Sequence, residues 1–306
     1  MDKILVTGGS GFIGSHLCER LNEMGYDVTI YDIKKPQTKD IRYIQGDIRD
    51  YGLLKHSMKG CSIVCHHAAM LGVVACLNDK DTVYDINHHG TENVIKACLE
   101  NGVSNVVFAS SSEVYGEGSI NQKLIETIDL KPKSHYGISK ILGENVIREF
   151  HERFNMKASV LRYCNVYGKR QREDFVIPIF IRSALKKDFL KVCGDGRQVR
   201  SFTYISDAVE ATIRAIFRNG NTFEVYNVAS DKPYTIKELA LKVINIHGSG
   251  EMRHVDFEGV GRKTECEVFT RIPSIEKARK ELGYIPCTGI DDGLTLTFNY
   301  YRNLKI

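Results

Sequence analysis

At 306 residues and a net charge of +4, the chain can bury a full core as one large domain or two unequal ones. Its basic residues are scattered rather than gathered into the stripe a nucleic-acid binder needs, and no apolar run approaches the length of a membrane span. Met1-Asp2-Lys3 leads straight into a strand-like segment rather than a signal peptide. The nine dispersed cysteines lack a zinc-type double pairing and read as reduced thiols of a cytoplasmic protein. His66-His67 and His88-His89 stand out as metal candidates. Adjacent side chains point in different directions, so packing is the expected role and no metal is expected.

In chain order, Lys3–Thr7 reads as a short apolar strand. Gly8-Gly-Ser-Gly-Phe-Ile-Gly14 follows, and a helical pattern then runs from Ser15 to Glu23. Strand, glycine turn and helix in that order make a dinucleotide-binding fingerprint. Gly8 allows the tight turn, Gly11 lets backbone approach a pyrophosphate, and Gly14 lets the helix pack on the strand. The helix N-terminus offers N–H groups and a positive dipole end to the phosphates, and Phe12 and Ile13 within the glycine motif are expected to line the cofactor. A second strand, Asp27–Tyr31, ends at Asp32. An acid there suits ribose hydroxyls and repels a 2′-phosphate, which favours NAD over NADP, although Lys34 and Lys35 follow closely. Strands at Ile41–Ile44, Ser62–Cys65 and Asn105–Ala109, with a helix from about Thr82 to Glu100, continue the alternation. The repetition predicts an α/β doubly wound parallel sheet with its site at the carboxyl ends of the strands, where Ser111 and Glu113 fall.

Tyr136-Gly-Ile-Ser-Lys140 places a phenol and an ammonium on one helix face. The ammonium favours the phenolate, so the tyrosine can act as a base nearer neutral pH. Beyond Asn165 the alternation breaks up. Phe175–Lys187 reads as a helix interrupted early by Pro178, Lys191–Cys193 and Ser201–Ile205 as strands, and Asp207–Arg218 as a helix. Glu224–Asn227 reads as a strand, and Ile236–Ile246 and Ser274–Leu282 as helices.

Together these stretches resemble the extended short-chain dehydrogenase/reductase family, in its branch of nucleotide-sugar epimerases, dehydratases and decarboxylases. The matching motifs are T-G-G-S-G-F-I-G, Asp32, G-D-I-R, H-H-A-A, S-S-S-E-V-Y-G, Y-G-I-S-K, R-Y-C-N-V-Y-G and G-D-G-R-Q-V-R-S-F-T-Y-I-S-D, in the family's order. The resemblance implies a Rossmann-type NAD-binding domain over residues 1–165, recrossed near 200–230. A smaller mixed α/β nucleotide-sugar lobe would span 166–306, and helices near 85–100 and 136–154 would pair into a homodimer. It implies that Asp47 and Ile48 border the adenine, that Ala68 and Ala69 pass the cofactor, and that Asn87 lies near the active site. Tyr136 would be the base, Lys140 its partner on the nicotinamide ribose, and Ser111 the catalytic hydroxyl. Asn165, Arg200 and Arg262 would hold the substrate diphosphate or ribose, Arg262 being equally readable as a surface charge.

The reaction so implied is oxidation of a sugar C4 hydroxyl to a ketone. The fate of that ketone separates epimerase, dehydratase and decarboxylase. The family's 4,6-dehydratases carry Thr-Asp-Glu where this chain has Ser111-Ser112-Glu113, and serine is too weak an acid to protonate a departing hydroxyl. Its UDP-glucuronate decarboxylases carry Thr-Ser-Glu, with an arginine before a Pro-(Asp/Ser)-Ile stretch that Arg271-Ile-Pro-Ser-Ile275 resembles. Glu113 is therefore open to two readings, as a base or as a structural contact. The expected activity is an NAD-dependent 4-epimerase on a nucleotide sugar, with decarboxylase or atypical dehydratase next and a non-catalytic cofactor sensor or scaffold as the competing class.

Overall fold

The computed structural model describes residues 2–71, 79–258 and 267–304. Lys3–Thr7 (β1) feeds Phe12–Glu23 (α1), then Asp27–Asp32 (β2), Arg42–Gln45 (β3), Tyr51–Ser57 (α2) and Ile63–His66 (β4). Lys80–Tyr84 (α3), a π-helical turn at Asp85–His89 and Gly90–Glu100 (α4) make one winding stretch. Asn105–Ser111 (β5), a 3-10 turn at Ser112–Tyr115, His135–Phe154 (α5) and Lys157–Tyr163 (β6) follow. Then come Val166–Tyr167 (β7), Val176–Leu185 (α6), Leu190–Cys193 (β8), Val199–Ser201 (β9), Thr203–Tyr204 (β10), Ile205–Phe217 (α7) and Phe223–Val228 (β11). Pro233–Thr235 (β12), Ile236–His247 (α8), Met252–Val255 (β13), Thr270–Arg271 (β14), Glu276–Leu282 (α9) and Ile290–Asn303 (α10) complete the described chain.

Seven parallel strands form the main sheet in the order β11-β6-β5-β4-β1-β2-β3. A strand covered on both faces is buried along its whole length, as all seven residues of β5 are, with the apolar run over residues 106–109 at its centre. One face packs on α1, α7 and α9 through Leu17, Leu21, Ala208, Ala211 and Ala278. The other packs on α2, α4 and α5 through Leu54, Val94, Ile95 and Ile147. Winding reverses between β1 and β4, which opens a crevice at their carboxyl ends.

A third core gathers Ile177, Phe180, Leu239, Val243, Leu294 and Phe298 from α6, α8 and α10 with Leu190 and Val192 of β8. Pro178 does not interrupt α6. It sits in the first turn, where the missing N–H has no intrahelical partner to lose. The single strand expected over Ser201–Ile205 is instead split at Phe202: β9 pairs with β12 and β14, β10 pairs with β7, and Ile205 already opens α7. Between 205 and 228 the chain returns to the first sheet, α7 packing on α1 and β11 pairing with β6. No described helix is long and apolar enough to cross a membrane.

Behind the carboxyl end of β5 lies a buried ion pair. Arg162 of β6 donates from Nη2 to Glu144 Oε2 of α5 at 2.7 Å, and the two side chains are 3% and 4% exposed. Ser110 Oγ donates to the same carboxylate at 2.5 Å. Arg162 Nη1 donates to Tyr115 Oη at 2.9 Å and to the Glu126 carbonyl at 3.0 Å, and Tyr115 donates on to Asn227 Oδ1. Breaking such a pair strands a charge in a dry interior, whereas removing both charges does not. Arg162→Met is expected to lose about 3–5 kcal/mol in urea unfolding, and the Arg162→Met/Glu144→Leu double variant clearly less.

Candidate active site

The switch point is closed by glycine. Gly8, at φ 70°, donates its N–H to the Tyr31 carbonyl at 2.9 Å, and Gly11 donates to the Gly8 carbonyl at 3.0 Å. A Cβ on Gly8 would lie 2.5 Å from the Ala68 backbone nitrogen, so the turns after β1 and β4 touch backbone to backbone. A Cβ on Gly14 would overlap the Gly8 carbonyl oxygen, which holds α1 tight against the turn. Gly11 caps α1 with no side-chain hydrogen bond, and Phe12 and Ile13 pack half-buried on the core below. Asp32, ending β2, accepts from the Ser10 backbone N–H at 3.0 Å and from that of Lys34 at 2.9 Å. Arg49 grips the Asp47 carboxylate at 2.6 Å and holds it below the usual carboxylate range. Ile48 is buried under Gly90. Ala69 follows Ala68, and both are half-buried.

The second constellation meets the crevice from β5 and α5. Lys140 is buried, its Nζ donating to the Ala109 carbonyl at 2.7 Å. The same ammonium lies 5.7 Å from the centre of the half-buried Tyr136 ring and 4.9 Å from that of Phe108. Two imidazoles, the buried His66 and the half-buried His67, stand near this charge. Desolvation and Lys140 push His66 well below its usual pKa and His67 down to about 4, so both are neutral and the local positive charge belongs to Lys140. His66 bonds Thr7 Oγ1 at 2.7 Å and Thr91 Oγ1 at 2.9 Å, joining β1 to α4. The Asn87 amide both accepts from and donates to the Met70 backbone and donates to Ser139 Oγ.

Ser111 ends β5, and its Oγ accepts the Glu113 N–H at 3.2 Å. Glu113 is tied to the tyrosine's helix. Ser134 Oγ donates to Glu113 Oε2 at 2.7 Å while accepting the Gly137 N–H at 3.0 Å as the N-cap of α5. Ser134 was missed in the sequence, although a serine just before the helical pattern is itself an N-cap signal.

At the far end, Asn165 takes a left-handed backbone at φ 38° and donates to the Ser201 carbonyl at 2.9 Å. Arg200 of β9 and Arg271 of β14 are register partners. Arg271 is buried, with Nε 3.4 Å from the Gly116 carbonyl. Arg200 meets the buried Glu267 at 3.3 Å and donates to the Val199 carbonyl at 2.9 Å. Burial pushes the Cys164 thiol up, against the pull of Ser112 and of the Arg271 and Arg200 charges. The structure thus gathers Ser112, Arg200 and Arg271 around Cys164, while Arg262 lies outside the described residues. Glu267, Arg200's acidic partner, carried no signal of its own in the sequence.

A glycine cradle with no room for a Cβ at Gly8 or Gly14, a helix start with no side-chain cap and a carboxylate at the end of β2 fit a dinucleotide. Fold and cradle together define a dinucleotide-binding enzyme of the α/β class. Residues 4–229 match the NAD dependent epimerase/dehydratase family, and the chain belongs to it, with NAD as its cofactor. It is 35% identical to the UDP-N-acetyl-alpha-D-glucosaminuronate decarboxylase of Bacillus cytotoxicus over 99% of this chain and 98% of that one. It is 30% identical to the dTDP-D-glucose 4,6-dehydratase of Mus musculus, over 98% and 88% of the two chains. Among solved structures it resembles UDP-glucuronic acid 4-epimerase from Bacillus cereus in complex with UDP-glucuronic acid and NAD. That likeness has a TM-score of 0.90 and 30% identity, and it covers 99% of each chain.

His66 predicts a pH effect. Its folded pKa is lowered, so below about 6.5 the unfolded chain takes up the proton first and stability falls with pH. Between pH 6.5 and 5, His66→Asn is expected to show a shallower loss of melting temperature than the parent, as read by circular dichroism; an equal slope would remove His66 from this role.

Proposed function

We propose that this chain is an NAD-dependent nucleotide-sugar 4-epimerase acting through a transient 4-keto sugar on a UDP-hexose or UDP-hexuronate. The observation that carries it is the pairing of Ser112 with a Glu113 already engaged by Ser134. The turn offers no strong acid to expel a hydroxyl, and its one carboxylate braces the helix of the tyrosine. Bound NAD supplies reversible hydride exchange at the sugar C4. Tyr136 takes the proton from the C4 hydroxyl and later returns it, and Ser111 hydrogen-bonds the same oxygen. Lys140 favours the phenolate by its charge. Gly8, Gly11 and Gly14 hold the pyrophosphate and Asp32 the adenosine ribose. Asn165, Arg200 and Arg262 take the diphosphate and nucleotide end, since bidentate guanidinium suits phosphate in geometry and charge.

In this reading residues 1–165, with the return near 200–230, bind NAD, and 166–306 close on the nucleotide sugar. The protein works as a cytoplasmic homodimer in carbohydrate biosynthesis.

One observation favours a second reading. Arg271 is buried, with Nε 3.4 Å from the carbonyl of Gly116, the residue after the Ser112–Tyr115 turn, and its guanidinium suits the C6 carboxylate of a hexuronate. A 4-keto hexuronate is a β-keto acid. If the C5–C6 electrons pass to the ketone, carbon dioxide leaves and C5 takes a proton, which makes the chain a decarboxylase. The relative from Bacillus cytotoxicus bears the name of such an enzyme.

Incubation with UDP-hexoses and UDP-hexuronates, with products resolved by chromatography and mass spectrometry, separates the readings. A new peak of unchanged mass is expected; loss of carbon dioxide or water would overturn the epimerase reading. Tyr136→Phe is expected to lower kcat by about 10²–10⁴ with NAD still retained; undiminished turnover would remove Tyr136 as the base, and a parent protein that binds NAD but turns over no nucleotide sugar would be a cofactor sensor rather than an enzyme. Glu113→Gln keeps an acceptor for Ser134 and should stay within about threefold of the parent kcat, whereas a base at this position would cost about 10² or more.

A further inference from the structure

Outside the crevice, the π-helical turn at Asp85–His89 assembles a donor set where sequence pattern alone predicts packing. On a regular helix, consecutive side chains splay apart. A π turn is wider, so neighbouring residues diverge less, and such turns recur at functional positions. Here the His88 and His89 rings lie 5.1 Å apart, inclined by 39°. Glu92, on the first turn of α4, reaches back between them. Its Oε2 is 2.9 Å from His89 Nδ1 and its Oε1 is 3.7 Å from His88 Nε2. One ligand atom from each of the three lies within 4.8 Å of the others, close enough for one ion to replace the direct contacts. His88 Nδ1 is buried with no hydrogen-bond partner among the described residues, and its Nε2 has the 3.7 Å approach of Glu92, too long for a hydrogen bond.

We propose that His88, His89 and Glu92 form a binding site for a divalent transition-metal ion, completed by water. Two imidazoles and a carboxylate suit Zn²⁺, Co²⁺, Ni²⁺ or Cu²⁺, whereas Mg²⁺ and Ca²⁺ prefer all-oxygen shells. The His89 side chain is 63% exposed in the single chain. The same turn carries Asn87, whose amide clamps Met70 and meets Ser139, so an ion here would sit on the outer side of that clamp.

Titration of the full-length, tag-free protein with Co²⁺, monitored in the visible spectrum, tests this. One equivalent is expected, with ligand-field bands and without the intense thiolate charge-transfer band that the exposed Cys287 would produce. Loss of even an outer-shell partner weakens metal sites about tenfold or more, so His89→Ala and Glu92→Gln should each raise the Kd at least about tenfold. Cys287→Ser should leave it unchanged. Retained far-UV circular dichroism in the variants shows that the fold survives. Absence of saturable binding, binding indifferent to both His89→Ala and Glu92→Gln, or binding abolished by Cys287→Ser would each overturn the site.

Discussion

The Arg162–Glu144 pair is the constraint on which the site's geometry rests. It joins β6 to α5, and Ser110 brings in the end of β5. Through Tyr115 and Asn227 it also reaches the 3-10 turn and β11. Every segment that presents a reacting-end side chain is therefore tied to one dry, fully bonded cluster. A buried charge is tolerable only when its partners are fixed, so the pair imposes on Ser111, Tyr136 and Lys140 a spacing that apolar packing alone would leave looser.

Electrostatics complete what packing begins. His66 and His67 stay neutral because burial and the Lys140 ammonium both oppose a proton on them. The Lys140 ammonium thus stands beside the Tyr136 ring without a second charge from these imidazoles. Glu113, the nearby acid on the 3-10 turn, is committed to Ser134 at the start of α5. The carboxylate that the sequence leaves open as a base or a structural contact here bonds the N-cap serine of α5, a contact that only the fold reveals.

Local order was the readable part of the chain. β1, Gly8, Gly11, Gly14 and α1 follow one another within two dozen residues, so their turn chemistry and period declare them. Tyr136 and Lys140 announce themselves by a single helical turn. Arg200 is legible as a phosphate-binding candidate from its motif, whereas its acidic partner Glu267 is not, because it lies far along the chain and pairs with Arg200 only after β9 meets β14. The π turn escaped notice because nothing in His88-His89 separates it from a regular helix. α10 also went unread, although Ile290, Leu294, Phe298 and Tyr301 give it a buried stripe at helical spacing.

Arg271 reaches Gly116 across 155 residues. The segment around it is held to the turn after β5 by a few strand-like bonds: Gly118 to Thr270, Leu124 to Ile272 and Ser274 to Leu124. Contacts so distant in sequence must wait for the intervening chain to be ordered. During synthesis, the glycine cradle, the tyrosine and its lysine have all emerged long before this arginine exists. The nucleotide half of the crevice is thus older, in the life of each molecule, than the half that would judge the sugar.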